Sequence, residues 1–333
     1  MVGARKNKSD LWLPPRCYRG RSAFEFHPKS GGAIRLCPLD APKSQVLAAY
    51  ELVVEAHKFN LTFVLNLFEE SPQFSDLQKA SQTDYRQSRK NVELVFGGTD
   101  PNKITTVDVR KYMDYRGIKS KVRANRELSF LSAVYSWARE RGHAKDNPCA
   151  GVKRHKEKAR TRYIEDAEYR AVYDRALAAT KIAMEIAYLC AARQSDVLSL
   201  KWDQIQERGV FIRQGKTGKE QLKLFSPRLL AAIDQAKARR ISSVSWVICN
   251  DKGQRYTRGG FNTNWAKVMA LAIASGDLAK SFTFHDLKAK GVSDYEQGDK
   301  QEFSGHATRG QMEKYNRKVQ EVSALDPGKK GKG

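Results

Sequence analysis

The spacing of apolar residues changes along the chain, and it begins with short alternating runs near the N-terminus. Residues 23–27 and 33–36 alternate between apolar and polar side chains around a Lys-Ser-Gly-Gly turn at residues 29–32. Such alternation is typical of a hairpin, so we expect a small antiparallel sheet. Apolar residues then recur at helical spacing over residues 43–59. The pattern predicts a small sheet-and-helix domain at residues 1–58, and a solvated basic arm is the alternative.

The next part of the chain has helical spacing throughout. Apolar residues recur every three or four positions over residues 77–96 and again over residues 120–141. Between them, Thr105 and Asp108 stand three residues apart, which is the capping-box pattern for the start of a helix. These three segments predict a helical domain at residues 59–158.

The third part mixes both patterns. Helical spacing covers residues 165–189 and 258–273, and alternating runs flank a turn with Lys216 at its tip. The last helix is expected to begin near Thr308 and to carry Tyr315, and the Gly/Lys tail after Pro327 is expected to be disordered. We therefore predict a mainly α fold with small β-sheets (α+β), whose last domain covers residues 159–333.

A tight turn is predicted just after the helix at residues 165–189. There Arg193 precedes Ser195 and Asp196, either of which could cap a new helix. An arginine held in such a turn can bind phosphate in a bidentate manner, although a surface arginine is the simpler interpretation.

The net charge of the chain indicates which class of partner it binds. The chain has 60 Lys and Arg against 37 Asp and Glu, a net charge of +23. A surface of this sign favours a polyanionic partner, above all nucleic acid, whereas the basic amphipathic helix of a membrane-surface protein is not evident. We expect neither a membrane span nor a secretory signal. The five cysteines are scattered and never paired as CxxC, which predicts reduced thiols and argues against a zinc site.

Basic residues are concentrated at two places that could follow a DNA backbone. One is the start of the helix at residues 120–141, and the other is the polar stretch at residues 152–160, which we interpret as an extended linker. A solvated charged face is an equally good interpretation of the first cluster. The candidate DNA-binding residues are Lys119, Lys121, Arg123, Arg126, Lys153 and Arg154.

Residues 282–315 combine the side chains that phosphodiester chemistry needs without a metal. His285 and Lys288 are followed by a Gly-His pair at His306 and by Tyr315 nine residues later. Cationic donors can neutralise the charge that grows on non-bridging oxygens, and a phenol oxygen can act as a covalent nucleophile. Each residue alone would be read as structural, but the ordered set indicates a catalytic site with no cofactor and no metal.

Taken in order, these segments resemble the tyrosine recombinases, the lambda-type phage integrases. The resemblance rests on the segment from Ala192 to Trp202, on Lys216-Thr-Gly, on Thr283-Phe-His285-Asp-Leu-Lys288, and on Ser304-Gly-His306 with Tyr315. It implies an arm-type DNA-binding domain, a core-binding domain and a catalytic domain, in that order. It also implies that Tyr315 attacks the scissile phosphate to form a 3′-phosphotyrosyl link.

The resemblance assigns the remaining roles residue by residue. Arg193 and His306 would bind the non-bridging oxygens, Lys216 would protonate the departing 5′-oxygen, and His285 would assist proton transfer. The family's second arginine is Lys288 here, which keeps the charge but loses the bidentate fork. Asp196 stands where glutamate is common, which implies a supporting role.

The function implied is integration and excision of a mobile element through a Holliday junction. The implied partners are duplex attachment sites of core and arm type, three further copies of the chain in a tetramer, a host DNA-bending protein and an excision factor. We expect it in the bacterial cytoplasm, associated with the nucleoid. The alternatives are a resolvase or inversion enzyme and a DNA-binding protein whose catalysis has decayed at Lys288. A type IB topoisomerase would share the chemistry but fits the N-terminal arm and helical domain less well.

Overall fold

A computed structural model describes residues 8–28, 32–319, 321–322 and 324. The chain divides into two compact units, Met1–Lys158 and Ala159–Gly333, and the α+β fold class is confirmed. Most of the predicted turn at residues 29–32 and the tail after Pro327 lie outside the described residues. Within the described part of the chain, no helix combines the length and the apolar character needed to cross a membrane.

The first unit begins with a three-stranded antiparallel sheet packed on one helix. Phe24 and Phe26 of the central strand face Val46 of the helix in a small apolar cluster. The sheet has the order β1-β2-β3, and its first strand was not predicted because the run is only three residues long. The elements are β1 (Cys17–Arg19), β2 (Ala23–Phe26), β3 (Ile34–Pro38) and α1 (Lys43–Lys58).

A second, separate apolar cluster holds the helices that follow. The apolar residues predicted at helical spacing over residues 120–141 are mostly buried. Thr105 and Asp108 form the predicted capping box at the start of the helix Thr106–Lys119. Helix α2, which begins after the N-cap Asn60, was not predicted. Whether the two clusters are separate domains divided near residue 58 stays a prediction. The helices are α2 (Leu61–Glu70), α3 (Pro72–Ser75), α4 (Lys79–Phe96), α5 (Thr106–Lys119) and α6 (Lys121–Glu140).

In its described part, the second unit has eight helices, six of which pack around a large apolar core, and one antiparallel sheet of order β4-β5-β6. The hairpin and the helix after Arg258 are found where the sequence predicts them. The elements are α7 (Asp166–Arg175), α8 (Ala178–Leu189), α9 (Gln194–Leu198), β4 (Ile205–Gln206), β5 (Gly209–Arg213), β6 (Glu220–Leu224), α10 (Pro227–Ala238), α11 (Arg258–Ala274), α12 (Asp286–Asp294), α13 (Lys300–Ser304) and α14 (Arg309–Glu313).

The prediction of one helix over residues 165–189 is wrong, because the chain breaks at Ala176 and Leu177, which are extended. The break lets the Tyr169 hydroxyl donate to Glu185 at 2.7 Å. In a continuous helix these residues would stand about 24 Å apart along the axis, at about 1.5 Å per residue. Tertiary contacts therefore override a locally continuous apolar pattern.

Two further predictions near the candidate site need correction. Neither Ser195 nor Asp196 caps α9, because Arg193 itself occupies the N-cap position. Tyr315 lies beyond the end of α14, in a turn where its N–H donates to the carbonyl of Met312 at 2.8 Å. That short helix begins near Thr308 as predicted, and the Thr308 side chain caps it by accepting a bond from the Gln311 N–H.

Candidate active site

The phenol of Tyr315 lies beside the imidazole of His285. The Nε2 atom of His285 is 3.1 Å from the Tyr315 oxygen, and the two rings meet edge to face. His285 stands at the N-cap of α12, and the next residue, Asp286, accepts bonds from the N–H and hydroxyl of Thr283. This turn holds the imidazole in place and directs it towards the phenol.

His306 contacts the same phenol. Its ring stacks on Tyr315 with centroids 4.6 Å apart, and its Nδ1 lies 2.7 Å from the hydroxyl of Ser304. Burial and the nearby charge of Lys288 lower the pKa of His306 to about 4, so the ring is neutral at pH 7. Its buried Nε2 has no hydrogen-bond partner among the described residues. That nitrogen is therefore available to a ligand.

The turn before His306 depends on a glycine. Gly305 ends α13 in the left-handed region, with φ of 67°, where a side chain would be strained. A Cβ atom at this position would also come within 2.3 Å of the Nε2 atom of Gln214. Both the backbone conformation and the close approach therefore favour glycine.

Arg193 is presented from the turn between α8 and α9, which begins with a rare conformation. Ala191 has φ of 47°, and it packs under Tyr315 with Val292 and Met312. The Arg193 Nη1 donates to the amide oxygen of Gln214 at 2.6 Å. The guanidinium is mostly buried, which fixes its direction.

Asp196 supports this turn from the hairpin side. Its Oδ1 accepts the Gly215 N–H at 3.1 Å, and its Oδ2 lies 4.0 Å from the Arg193 guanidinium. The carboxylate thus joins α9 to the β5–β6 turn. This contact is compatible with the supporting role that the resemblance implies for Asp196.

Lys288 lies on α12 and is 1% exposed. Its Nζ donates to the Ser304 carbonyl at 3.2 Å and lies 5.7 Å from the centre of the Tyr315 ring. Burial, with the charge of Arg193 as the second cause, lowers the pKa of Lys288 to about 7. Helix α12 can lie this close to α8 because residue 291 is glycine, where a Cβ would come within 2.1 Å of the Tyr188 carbonyl.

Lys216 is the one predicted catalytic residue that the structure leaves apart from the others. It is exposed in the turn between β5 and β6. Its side chain makes no hydrogen bond or ion pair within the described part of the chain. The other four are joined around Tyr315 by direct contacts or through Gln214 and Ser304.

Sequence reasoning missed Gln214 altogether. Val210, Ile212 and Gln214 occupy alternate positions and all three are buried, so the amide continues the inward face of β5. A polar residue at an inward position two residues before Lys216 was the available signal.

Sequence reasoning also missed the ion pair behind the tyrosine. Arg317 donates to the Oδ1 of Asp286 at 2.7 Å, and both side chains are less than a tenth exposed. The Arg317 N–H donates to the Ser293 hydroxyl, which in turn donates to the Tyr315 carbonyl. The segment that carries the phenol is thereby fastened to the turn that carries His285.

The candidate DNA-binding residues all belong to the first unit. Arg123 is engaged by Asp84 at 3.0 Å, whereas the other five are exposed. The linker residue His155 is fixed to α6 by two bonds with Asn125. Among the described residues, no group of three His, Cys, Asp or Glu side chains is arranged to hold a metal ion.

The site can be compared with known proteins. The integrase of Enterobacteria phage 434 is 24% identical over 193 residues, which is 54% of this chain and 52% of that protein. A shufflon-specific DNA recombinase of Escherichia coli is 26% identical over 273 residues, which is 75% of this chain and 67% of that protein. The match thus spans about half the length of the first relative and about two thirds of the second.

Solved structures extend the comparison to the fold. A lambda integrase dimer bound to a COC′ core site has a TM-score of 0.67 at 20% identity, covering 97% of this chain and 99% of that chain. At this identity the likeness shows a shared fold. Residues 161–321 also match the model of the phage integrase family. The comparisons therefore place residues 161–321, just under half of the chain, in the phage integrase family.

Proposed function

We propose that this chain is a site-specific DNA recombinase, an integrase that cuts and rejoins duplex DNA through a 3′-phosphotyrosyl intermediate. The observation that carries the proposal is the 3.1 Å separation between the His285 Nε2 and the Tyr315 phenol oxygen, beside Lys288 and Arg193. A phenol next to a neutral imidazole and two cations is suited to attack on a phosphodiester.

In the proposed reaction, the Tyr315 oxygen attacks the scissile phosphorus and the bond to the 5′-oxygen breaks. His285 accepts the phenol proton, and Lys216 donates a proton to the departing 5′-oxygen. Arg193, Lys288 and the Nε2–H of His306 bind the non-bridging oxygens as charge grows on them. Attack by a 5′-hydroxyl reverses these steps and releases Tyr315. The phosphotyrosine conserves the energy of the broken bond, so the cycle needs no nucleotide cofactor.

To donate a proton to the 5′-oxygen, Lys216 would have to move towards the other site residues, or the bound DNA would have to place that oxygen near it. Its turn is exposed, and DNA in the site would bring the leaving oxygen towards it. The family resemblance assigns Lys216 to the leaving group, and the exposed position of its turn is compatible with that role. The three-domain division, with arm-type sites bound by residues 1–58 and core sites by residues 59–158, belongs to the same proposal.

The proposed partners are duplex core and arm sites and a tetramer of this chain on DNA. Lambda integrase, which shares the fold, has been solved as a tetramer bound to a Holliday junction. The net charge of +23 supports a polyanionic partner. A host bending protein, an excision factor and association with the nucleoid are the finer parts of this proposal.

A second candidate is inversion of a DNA segment without integration. It is favoured by the similarity to the shufflon-specific recombinase over 75% of this chain. The two candidates share the chemistry and differ in the arrangement of sites. Supplying the recovered site as direct and as inverted repeats on one plasmid would separate them, since inversion without deletion or intermolecular joining indicates the second.

The chemistry is tested by covalent capture. The purified chain is mixed with a pool of nicked duplexes that carry a randomised segment, and DNA that stays bound to denatured protein is recovered and sequenced. The parent protein should enrich a defined sequence, and Tyr315→Phe should recover none. Tyr295→Phe is the matched control, because Tyr295 is the nearest tyrosine in sequence and stacks on Phe303 instead. Capture by Tyr315→Phe would refute the assignment of the nucleophile.

A further inference from the structure

Gln214 joins Arg193 to two other parts of the candidate site, the Lys216 turn and Ser304. It is 4% exposed, although it lies next to the exposed turn of the hairpin. Its amide oxygen accepts from Arg193 at 2.6 Å and from the Thr217 hydroxyl at 2.9 Å. Its amide nitrogen donates to the Ser304 carbonyl at 3.2 Å. All of its side-chain polar atoms are therefore in use within the site.

The Ser304 carbonyl accepts hydrogen bonds from two residues of the site. It accepts a second bond from the Nζ of Lys288, also at 3.2 Å. Ser304 also contacts the Nδ1 of His306 through its hydroxyl. One glutamine amide and one carbonyl thus join Arg193, Lys288 and the turn that leads to His306.

The backbone of Gln214 also closes the turn that carries Lys216. Its N–H donates to the Lys219 carbonyl and its carbonyl accepts from the Gly218 N–H, both at 2.8 Å. With the Thr217 bond, the residue fixes both ends of this turn. A movement of the Lys216 turn would be transmitted to Arg193 through the same side chain.

An amide is suited to this position for a chemical reason. Glutamine accepts from a guanidinium without cancelling its positive charge, and it donates at the same time. A carboxylate would neutralise Arg193 and could not donate to the carbonyl. The nearest carboxylate oxygen of Asp196 stands 4.0 Å from the guanidinium. Arg193 therefore keeps its charge and most of its donors for a phosphate.

We propose that Gln214 is a positioning residue for the cleavage reaction, which sets the direction of Arg193 and couples the Lys216 turn to the Ser304–His306 segment. This inference rests on the proposed function. Gln214 does not touch the reacting atoms, so its loss should lower the rate of the chemical step and leave the affinity for DNA nearly unchanged.

The test is single-turnover formation of the covalent adduct on a nicked duplex that the parent protein selects. Gln214→Met keeps the size of the side chain and removes its three bonds. The rate at saturating protein should fall about ten- to a hundredfold, because a hydrogen bond to a charged group is lost from the site. The dissociation constant for the uncut duplex should stay within about twofold, since phosphate contacts elsewhere dominate affinity.

Gln221→Met is the matched control. Gln221 lies on the same hairpin and donates to the Glu302 carbonyl, but it makes no bond to Arg193 or Lys288. Its replacement should lower the rate less than about threefold, a loss typical of a bond between neutral groups near the surface.

Thr217→Val is the second variant, and it tests the positioning role of Gln214 even if Gln214→Met does not fold. Thr217 is exposed, so this change should leave folding intact while it removes the bond between the turn and Gln214. We expect a rate loss of about three- to tenfold with unchanged affinity.

Three results would overturn the inference: an unchanged rate in Gln214→Met, an equal loss in Gln221→Met, or an unchanged rate in Thr217→Val. A parent protein that forms no adduct at all would instead refute the proposed function, so the two failures are distinguishable.

Discussion

The Nε2 atom of His285 and the phenol oxygen of Tyr315 are 3.1 Å apart, with the two rings at 75° to each other. His306 stacks on the same phenol, so the nucleophile contacts two imidazoles. Burial and the neighbouring Lys288 lower the pKa of His285, which keeps its ring neutral and able to accept a proton. The phenol and its proton acceptor are therefore already in place before DNA binds.

This relationship predicts a pH dependence. The pKa of His285 is below its ordinary value, so adduct formation should slow on the acid side of pH 7, as the ring gains a proton. His285→Gln cannot accept the proton and should react about a hundredfold or more slowly, with that acid limb removed. Single-turnover rates across a pH series provide the measurement. An unchanged acid limb in His285→Gln would assign it to another group.

Lys288 is predicted to be a working residue and not a mark of decay. Its replacement by alanine should slow cleavage on the order of a hundredfold, since it removes one cationic donor to the transition state. Lys288→Arg should retain activity if the buried space accepts the larger group. Both rates are measured at saturating protein on the selected duplex. An alanine variant as fast as the parent would show that Lys288 does not contact the phosphate.

The same lysine should reduce stability at neutral pH. Its pKa is about 7 in the folded protein against 10.5 for the free side chain, so the unfolded chain binds more protons between these values. Stability should therefore rise with pH through this window and fall as pH drops towards 7. Between pH 7 and about pH 9.5, the parent should gain up to about 3 kcal/mol relative to Lys288→Met.

Urea unfolding of the two proteins across that range gives this comparison. Lys252→Met, at an exposed turn, is the control and should follow the parent. Parallel curves for the parent and Lys288→Met would mean that Lys288 stays charged in the folded protein.

The Arg317–Asp286 pair is predicted to hold the nucleophile segment. Arg317→Met leaves the buried Asp286 carboxylate with its Thr283 bonds and the more distant Arg160, at 3.6 Å, and should cost about 1–3 kcal/mol of stability. Combining it with Asp286→Asn should restore part of that loss, because the buried charge that lost its partner is then removed. Denaturant unfolding of both single variants and the double variant completes the cycle. Strictly additive losses would show that the pair is not coupled.

Sequence patterns within a few residues correctly predicted the elements that are stabilised by contacts between near neighbours in the chain. The capping box at Thr105 and the hairpin around Lys216 were both found as expected. The break between α7 and α8 was not predictable, because the bond from Tyr169 to Glu185 joins residues distant in sequence. The link from Gln214 to Arg193 and Ser304 was not predictable for the same reason, since these two partners lie 21 and 90 residues away.

Candidate chemistry was easier to predict than its geometry. The order of His285, His306 and Tyr315 indicated a site, but not that the phenol would lie beyond its helix. The burial of Lys288 follows from the close packing of α12 on α8, which no local pattern encodes.

The central claim is that Tyr315 becomes joined to DNA, and the most direct test is to identify the joined residue. The captured adduct is digested with nuclease and protease, and the nucleotide-bearing peptide is sequenced by mass spectrometry. The account predicts a peptide with a nucleotide attached through its 3′-phosphate to the Tyr315 oxygen. A 5′-phosphate linkage, or a nucleotide on any other residue, would contradict it.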